Sequence, residues 1–280
     1  MMRRKTISIF VTLLILVFSF GGVVYMASET PYSTPTMSPL YEAPPNEYRD
    51  NWGMTIMFKT DPEVLARMVP EPLQPNEDGL MGVQISEFFV SGFGRYNEMI
   101  FFTPVTFNGE LGNFSHYLML DNDIATGGGR EIWGFPKKMG RVELEEKDGV
   151  LTGTVERGGH LLVKASMQIG RMSRPEDLGG SATYYNHKLI PSVIEGAPPV
   201  VNKLTSTTLE NVVIKKVYNG RATLEFGKSP VDRFHEIPII EVLDGVYVNS
   251  DFDLTFGEVI HDYSLNQNPL VSSFINFVKK

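Results

Sequence analysis

Beyond residue 46, apolar and polar positions mostly alternate in short runs separated by turn dipeptides, the pattern of strands with one buried face. Asp148-Gly149, Gly158-Gly159 and Asn219-Gly220 each sit between such runs and predict three hairpins. Segments 142–146, 151–156 and 161–169 form a meander on this pattern, and 212–218 is expected to pair with 222–226. Segments 237–248 and 252–260 add strand material. One short helix is expected after the first strand: Thr60 and Glu63 have capping-box spacing, Pro62 suits a first turn, and Pro70 stops the segment after Met68. Val64, Leu65 and Met68 would line its buried face. The body should therefore be α+β and mainly antiparallel sheet, with few helices.

The N-terminus breaks this pattern. Arg3, Arg4 and Lys5 precede the uncharged run 7–26, whose apolar residues form no single stripe. About 20 such residues suffice to cross a bilayer as a helix, and the basic flank favours a cytoplasmic N-terminus. Residues 1–27 are thus expected to be a signal anchor or signal peptide. The remainder would then lie outside the cytoplasm, anchored to the membrane or, after cleavage, secreted or periplasmic. Residues 28–47 hold five prolines among Ser, Thr and Glu and predict an extended tether. A folded domain is expected over 48–265, followed by a tail at 266–280.

Composition narrows the function. The chain carries a net charge of −8, and without residues 1–26 it has 22 basic groups against 33 acidic ones, a net −11. No basic run offsets this, which argues against nucleic-acid binding. With no cysteine, disulfides and thiolate-metal sites are excluded. The five histidines form no metal-binding pair, and no metal or cofactor is expected. Gly127-Gly128-Gly129 lacks the Lys-Ser/Thr of a phosphate loop and is expected to be a flexible turn.

The candidate chemistry lies in 129–140, where Lys137 and Lys138 are flanked by Trp133, Phe135, Pro136 and Met139. A solvated lysine is protonated and cannot attack a carbonyl, whereas apolar surroundings or a second cation favour the neutral amine. On composition alone a solvated Lys-Lys turn remains the plainer alternative.

The run 117–123 (Tyr-Leu-Met-Leu-Asp-Asn-Asp), then Gly129-Arg130-Glu131, then Pro136-Lys137-Lys138-Met139-Gly140 resembles, in order and spacing, the signature of the acetoacetate decarboxylase family. Lys59-Thr60-Asp61, 69–73 (Val-Pro-Glu-Pro-Leu), 94–98 (Gly-Arg-Tyr-Asn-Glu) and 258–263 (Glu-Val-Ile-His-Asp-Tyr) extend the similarity over about residues 46–263. The resemblance implies a β-barrel or sheet domain, a possible homo-oligomer, and decarboxylation of acetoacetate or a related β-keto acid. It makes Lys137 the imine-forming amine and Lys138 its neighbour, with Glu98 as a proton-handling or orienting group. Arg49, aligned through a short gap, would meet the substrate carboxylate. A second family glutamate falls at or beside Gln84, with Glu87 three residues on, and this departure bears on substrate choice. Trp133, Phe88, Phe89, Phe101 and Phe102 are candidates for the pocket wall. Two alternatives stay open: an imine-dependent aldolase or dehydratase acting on keto acids, and a non-catalytic domain that binds a small ligand.

Overall fold

The computed structural model describes residues 31–265. The hydrophobic run 7–26 and the tail 266–280 lie outside the described residues, and with them the anchor expectation. Among the described residues no helix is long and apolar enough to cross a membrane. Residues 31–42 make turns and bends, in which Ser33 Oγ donates to Tyr41 O and accepts from the Tyr41 N–H.

The first strand, β1 (Asn46–Lys59), opens two residues ahead of the expected domain start. There follow α1 (Pro62–Met68), β2 (Gln74–Pro75), β3 (Leu80–Val90), β4 (Gly94–Phe107) and β5 (Glu110–Leu120). The short α2 (Asp123–Gly128) runs into a π-helical turn (Gly129–Trp133), then β6 (Lys137–Met139). Three strands come next, β7 (Arg141–Lys147), β8 (Val150–Arg157) and β9 (His160–Gln168), then β10 (Met172–Ser173) and β11 (Thr183–Ile190). The last four are β12 (Val201–Gly220), β13 (Ala222–Phe226), β14 (Glu241–Leu254) and β15 (Glu258–Asp262).

The larger sheet closes on itself. β4 pairs with both β3 and β5, β5 continues through a parallel pair to β11, and the path returns through β12, β14 and β1 to β3. Because side chains alternate between faces, each strand supplies two sets. Tyr48, Phe88, Tyr96, Ile100, Leu118, Leu120 and Trp133 fill the barrel interior. Met54, Ile56, Val83, Ile85, Met99 and Phe101 point outward and pack against β7, β8, β9 and β13 of the second sheet.

The expected meander is present as β7, β8 and β9, with Asp148, Gly149, Gly158 and Gly159 all at positive φ as tight hairpin turns require. The third hairpin is not. β13 pairs with β9 of the second sheet, while the end of β12 pairs with β14. Neither Asn219 nor Gly220 takes the positive φ of a hairpin turn; a Cβ at Gly220 would collide with the Gln168 carbonyl oxygen, so the glycine serves a close backbone approach as the chain changes sheets. A hairpin turn not expected at Asn108-Gly109, both at positive φ, joins β4 to β5.

The predicted helix is α1, but its cap is Asp61, whose carboxylate accepts from the Glu63 N–H at 2.8 Å. Thr60 is buried instead, its N–H donating to Gly79 O. The glycine triplet is helical, not a flexible turn: it ends α2 and starts the π-helical turn that Gly134 closes at φ 81°.

Candidate active site

The parity of strand residues decides which candidates meet. On β6, Lys137 pairs with Leu118, an interior residue, and Lys138 with Met119, an outward one. The two lysines therefore face opposite sides of the sheet. Lys137 is 6% exposed, and its Nζ donates to Glu98 Oε2 at 3.1 Å and lies 5.6 Å from the centroid of the Phe135 ring.

The local fold makes room for that side chain. A Cβ on Gly129 would stand 2.6 Å from Lys137 Cδ and 2.7 Å from its Cε, so the π-helical turn packs bare backbone against the lysine methylenes. Arg130 then fixes the strand behind it by donating to the Lys137 carbonyl at 3.0 Å.

Glu98 lies opposite Leu120 on one side and Ser86 on the other, and is 2% exposed. Burial raises its carboxyl above the usual glutamate value, while the charge and hydrogen bond of Lys137 and the Tyr96 hydroxyl pull the other way. Its second oxygen, Oε1, is buried without a hydrogen-bond partner. Tyr96, two residues earlier on the same face, places its hydroxyl 3.2 Å from that of Tyr48. Burial pushes both phenols up. Desolvating an ammonium and a carboxylate costs several kcal/mol per ion, roughly what their attraction returns, so stability alone does not account for such a pair.

On the other face, Lys138 Nζ donates to Asp232 Oδ1 at 2.6 Å and Arg157 to Oδ2 at 3.0 Å. Burial alone would raise the Asp232 carboxyl, but the hydrogen bonds and charges of the two cations outweigh it and hold the group below the ordinary aspartate value. A depressed pKa contributes stability that is present above the unfolded value, 3.8, and lost as pH falls through the folded one. Asp232→Ala should therefore lower stability by about 1–3 kcal/mol at neutral pH, with less loss in acid, since the freed cations reach solvent. Thermal unfolding of both proteins between pH 3 and pH 7 checks this.

Of the other expected residues, Gln84 is interior and its Nε2 donates to Ser86 Oγ at 2.9 Å. Glu87 is not in the pocket. Three residues from Gln84 on a strand of period two, it turns outward and pairs with Arg95 at 2.5 Å. Phe89 lies outward with it under the Arg95 guanidinium, and Phe101 also faces away, while Phe88 and Phe102 are interior. Trp133 is buried beside Phe135, its indole donating to Thr255 O at 2.8 Å. Arg49 is not brought to Lys137: it pairs with Asp253 at 2.7 Å and donates to the carbonyls of Tyr48 and Phe252.

Sequence reasoning missed Tyr96, Tyr48, Phe135 as the ring beside the amine, and Asp232. Among the described residues no cluster of three metal-ligating side chains occurs. A buried amine against a buried, proton-accepting carboxylate inside an apolar barrel suits carbonyl addition and proton transfer.

The model of the acetoacetate decarboxylase family matches residues 29–265. Acetoacetate decarboxylase 1 of Mesorhizobium japonicum is 33% identical over 237 residues, covering 83% of this chain and 94% of that protein. Acetoacetate decarboxylase 1 of Bradyrhizobium diazoefficiens is 33% identical over 84% of this chain and 94% of its own length. The crystal structure of acetoacetate decarboxylase from Legionella pneumophila superposes with a TM-score of 0.77 at 27% identity, over 81% of this chain and 91% of that one. An enduracididine biosynthesis enzyme complexed with pyruvate shares the fold, with a TM-score of 0.73 at 19% identity over 85% of this chain and all of its own.

Proposed function

The chain belongs to the acetoacetate decarboxylase family, and from that premise we propose that it decarboxylates a β-keto acid through an imine on Lys137. The observation that carries this reading is the buried contact between Lys137 Nζ and Glu98. Transfer of the ammonium proton to Glu98 leaves two neutral groups in a low-dielectric site and frees the nitrogen lone pair. The amine adds to the ketone carbon, and the carbinolamine loses water, its hydroxyl taking up a proton from Glu98. The protonated imine accepts the electrons of the carbon-carbon bond as carbon dioxide departs. The enamine so formed is protonated at carbon, and water hydrolyses the imine to ketone and free amine. Each step is completed by protons and water, with no redox partner.

Glu98 Oε1, without a hydrogen-bond partner, is the oxygen suited to handling the substrate's protons, while Oε2 stays with the amine. Lys138, turned to Asp232, acts as an anchor of β6 and not as the charge that tunes Lys137. Arg49, held by Asp253, takes no part in this mechanism. Borohydride reduction in the presence of acetoacetate tests the imine by a stable mass gain on the peptide holding Lys137, and carbon dioxide release tests the outcome. Trapping with water loss or carbon-carbon bond formation and no carbon dioxide would favour an aldolase or dehydratase.

Gln84→Glu should shift substrate preference, because a carboxylate at this interior position ionises and exchanges protons where the amide only donates and accepts hydrogen bonds. Comparing kcat/KM on acetoacetate and bulkier β-keto acids is expected to show a change of about tenfold in their ratio. An unchanged ratio would place Gln84 outside substrate contact. Export of the domain stands as a separate proposal, drawn from residues 7–26, that membrane fractionation of the full chain tests.

A further inference from the structure

Two phenols in the barrel interior carry more polarity than their packing needs. Tyr48 on β1 and Tyr96 on β4 are buried among phenyl rings. Tyr48 stacks on Phe252 with ring centroids 4.5 Å apart, and Tyr96 lies 5.6 Å from Phe88 and 5.9 Å from Phe93. A phenylalanine would fill either place, whereas a buried hydroxyl must find a partner to offset the water it gives up. These two hydroxyls meet each other at 3.2 Å.

They meet beside Glu98. Tyr96 and Glu98 are two residues apart on β4 and share its interior face. The Tyr96 hydroxyl acts on the Glu98 carboxyl as a hydrogen-bond partner and pulls it down against the effect of burial. A carboxylate only accepts, which sets the order of donors: Tyr48 gives its hydrogen to Tyr96, and Tyr96 keeps its own to offer Glu98. Burial holds both phenols above the ordinary tyrosine value, so they stay neutral donors. Oε2 already accepts from the Lys137 ammonium at 3.1 Å, which leaves Oε1 to the phenol. Oε1 has no closed hydrogen bond in the resting site, and catalytic hydrogen bonds are often long there and tighten as the reaction proceeds.

Other elements supply the rest of the surroundings of Glu98. Lys137 on β6 lowers its carboxyl and Asp121, just after β5, raises it. Tyr184 on β11 feels its charge, and Ser86 stands opposite on β3. Resting on Glu98 as the proton-handling group of the imine reaction, we propose that Tyr96, oriented by Tyr48, is a positioning residue that holds the Glu98 carboxylate in its proton-accepting form beside Lys137. Burial by itself favours the protonated carboxyl, which cannot take the ammonium proton and free the amine. A neutral donor offsets burial without bringing a second cation to compete with Lys137 for the carboxylate.

Tyr96→Phe keeps the ring and removes the hydroxyl. Losing a hydrogen bond to a charged group should move the acid limb of the kcat/KM profile for acetoacetate upward by about one pH unit, so that activity falls about tenfold on that limb and recovers on the plateau. Tyr48→Phe should move the limb the same way by less, and the double variant no further than Tyr96→Phe alone, because Tyr48 acts through Tyr96. Tyr184→Phe should leave the limb in place, since a neutral phenol brings no charge to Glu98. An unmoved limb in Tyr96→Phe, a uniform loss at every pH, an equal shift in Tyr184→Phe or additive shifts in the double variant would each overturn the proposal. Infrared titration of the Glu98 carboxyl band, identified by its loss in Glu98→Gln, reads the same shift without turnover. A band shifted in Tyr96→Phe, with neither carbon dioxide nor borohydride trapping from wild type, would remove the decarboxylase reading and keep the positioning role. Trapping by wild type with an unshifted band in the variant would do the reverse.

Discussion

Lys137→Met is expected to abolish borohydride trapping and to reduce carbon dioxide release by roughly 10⁴-fold or more, the scale on which loss of a covalent nucleophile is felt. Methionine keeps an unbranched chain against the bare backbone of Gly129 and the Phe135 ring, so the packing that positions the amine is preserved. What the variant loses is the nitrogen. Glu98 is then buried without its cation, and its carboxyl, already raised by burial, takes up a proton in place of a partner. The fold should survive, as unfolding in denaturant would show. Lys138→Met gives the contrast, because that ammonium lies on the opposite face against Asp232. It should weaken stability and leave a trappable imine. Turnover by Lys137→Met near the wild-type rate would remove the mechanism, and equal loss of trapping in both variants would leave the nucleophile unassigned between them.

How much of this was legible in the sequence depended on range. The second-sheet meander and α1 follow from local turn and cap chemistry, and their residues carry the signal within a few positions. The Lys137 motif stood out by its spacing. Period two along β3 and β4 also sorts Gln84, Ser86, Tyr96 and Glu98 to one face and Glu87 to the other, because that parity is local to each strand. Long-range features were not available. Asp232 meets Lys138 across 94 residues, and the barrel closes through a parallel contact of β5 with β11. No local pattern marks either. Asn219-Gly220 misled because the dipeptide that suits a hairpin also suits a strand pressed against another backbone, and only the packed structure separates the two uses. Gly129 misled in the same way: its lack of a side chain accommodates Lys137 within a π-helical turn.

Glu98→Gln is expected to lower kcat by about 10²–10⁴, the range for loss of a general acid-base group, while the imine can still be trapped slowly. Glutamine has nearly the same volume, and its carbonyl can accept from Lys137 Nζ, so the side chain should keep its place between Ser86 and Leu120. It cannot hold the proton that the amine must shed. Breaking a buried ion pair by deleting one partner costs about 3–5 kcal/mol when the other stays charged; here the retained hydrogen bond should keep the loss below that. The pH dependence of stability separates this account from a purely structural one. Glu98 is raised in the fold above 4.5, so its contribution to stability is full below 4.5 and is lost as pH rises through the folded value. Wild type should therefore lose stability relative to the glutamine variant as pH rises through that window, and the variant should lack this term. If Glu98→Gln kept kcat and changed only Tm, the carboxylate would be a partner for the lysine charge and no more, and proton transfer at the imine would have to pass through water.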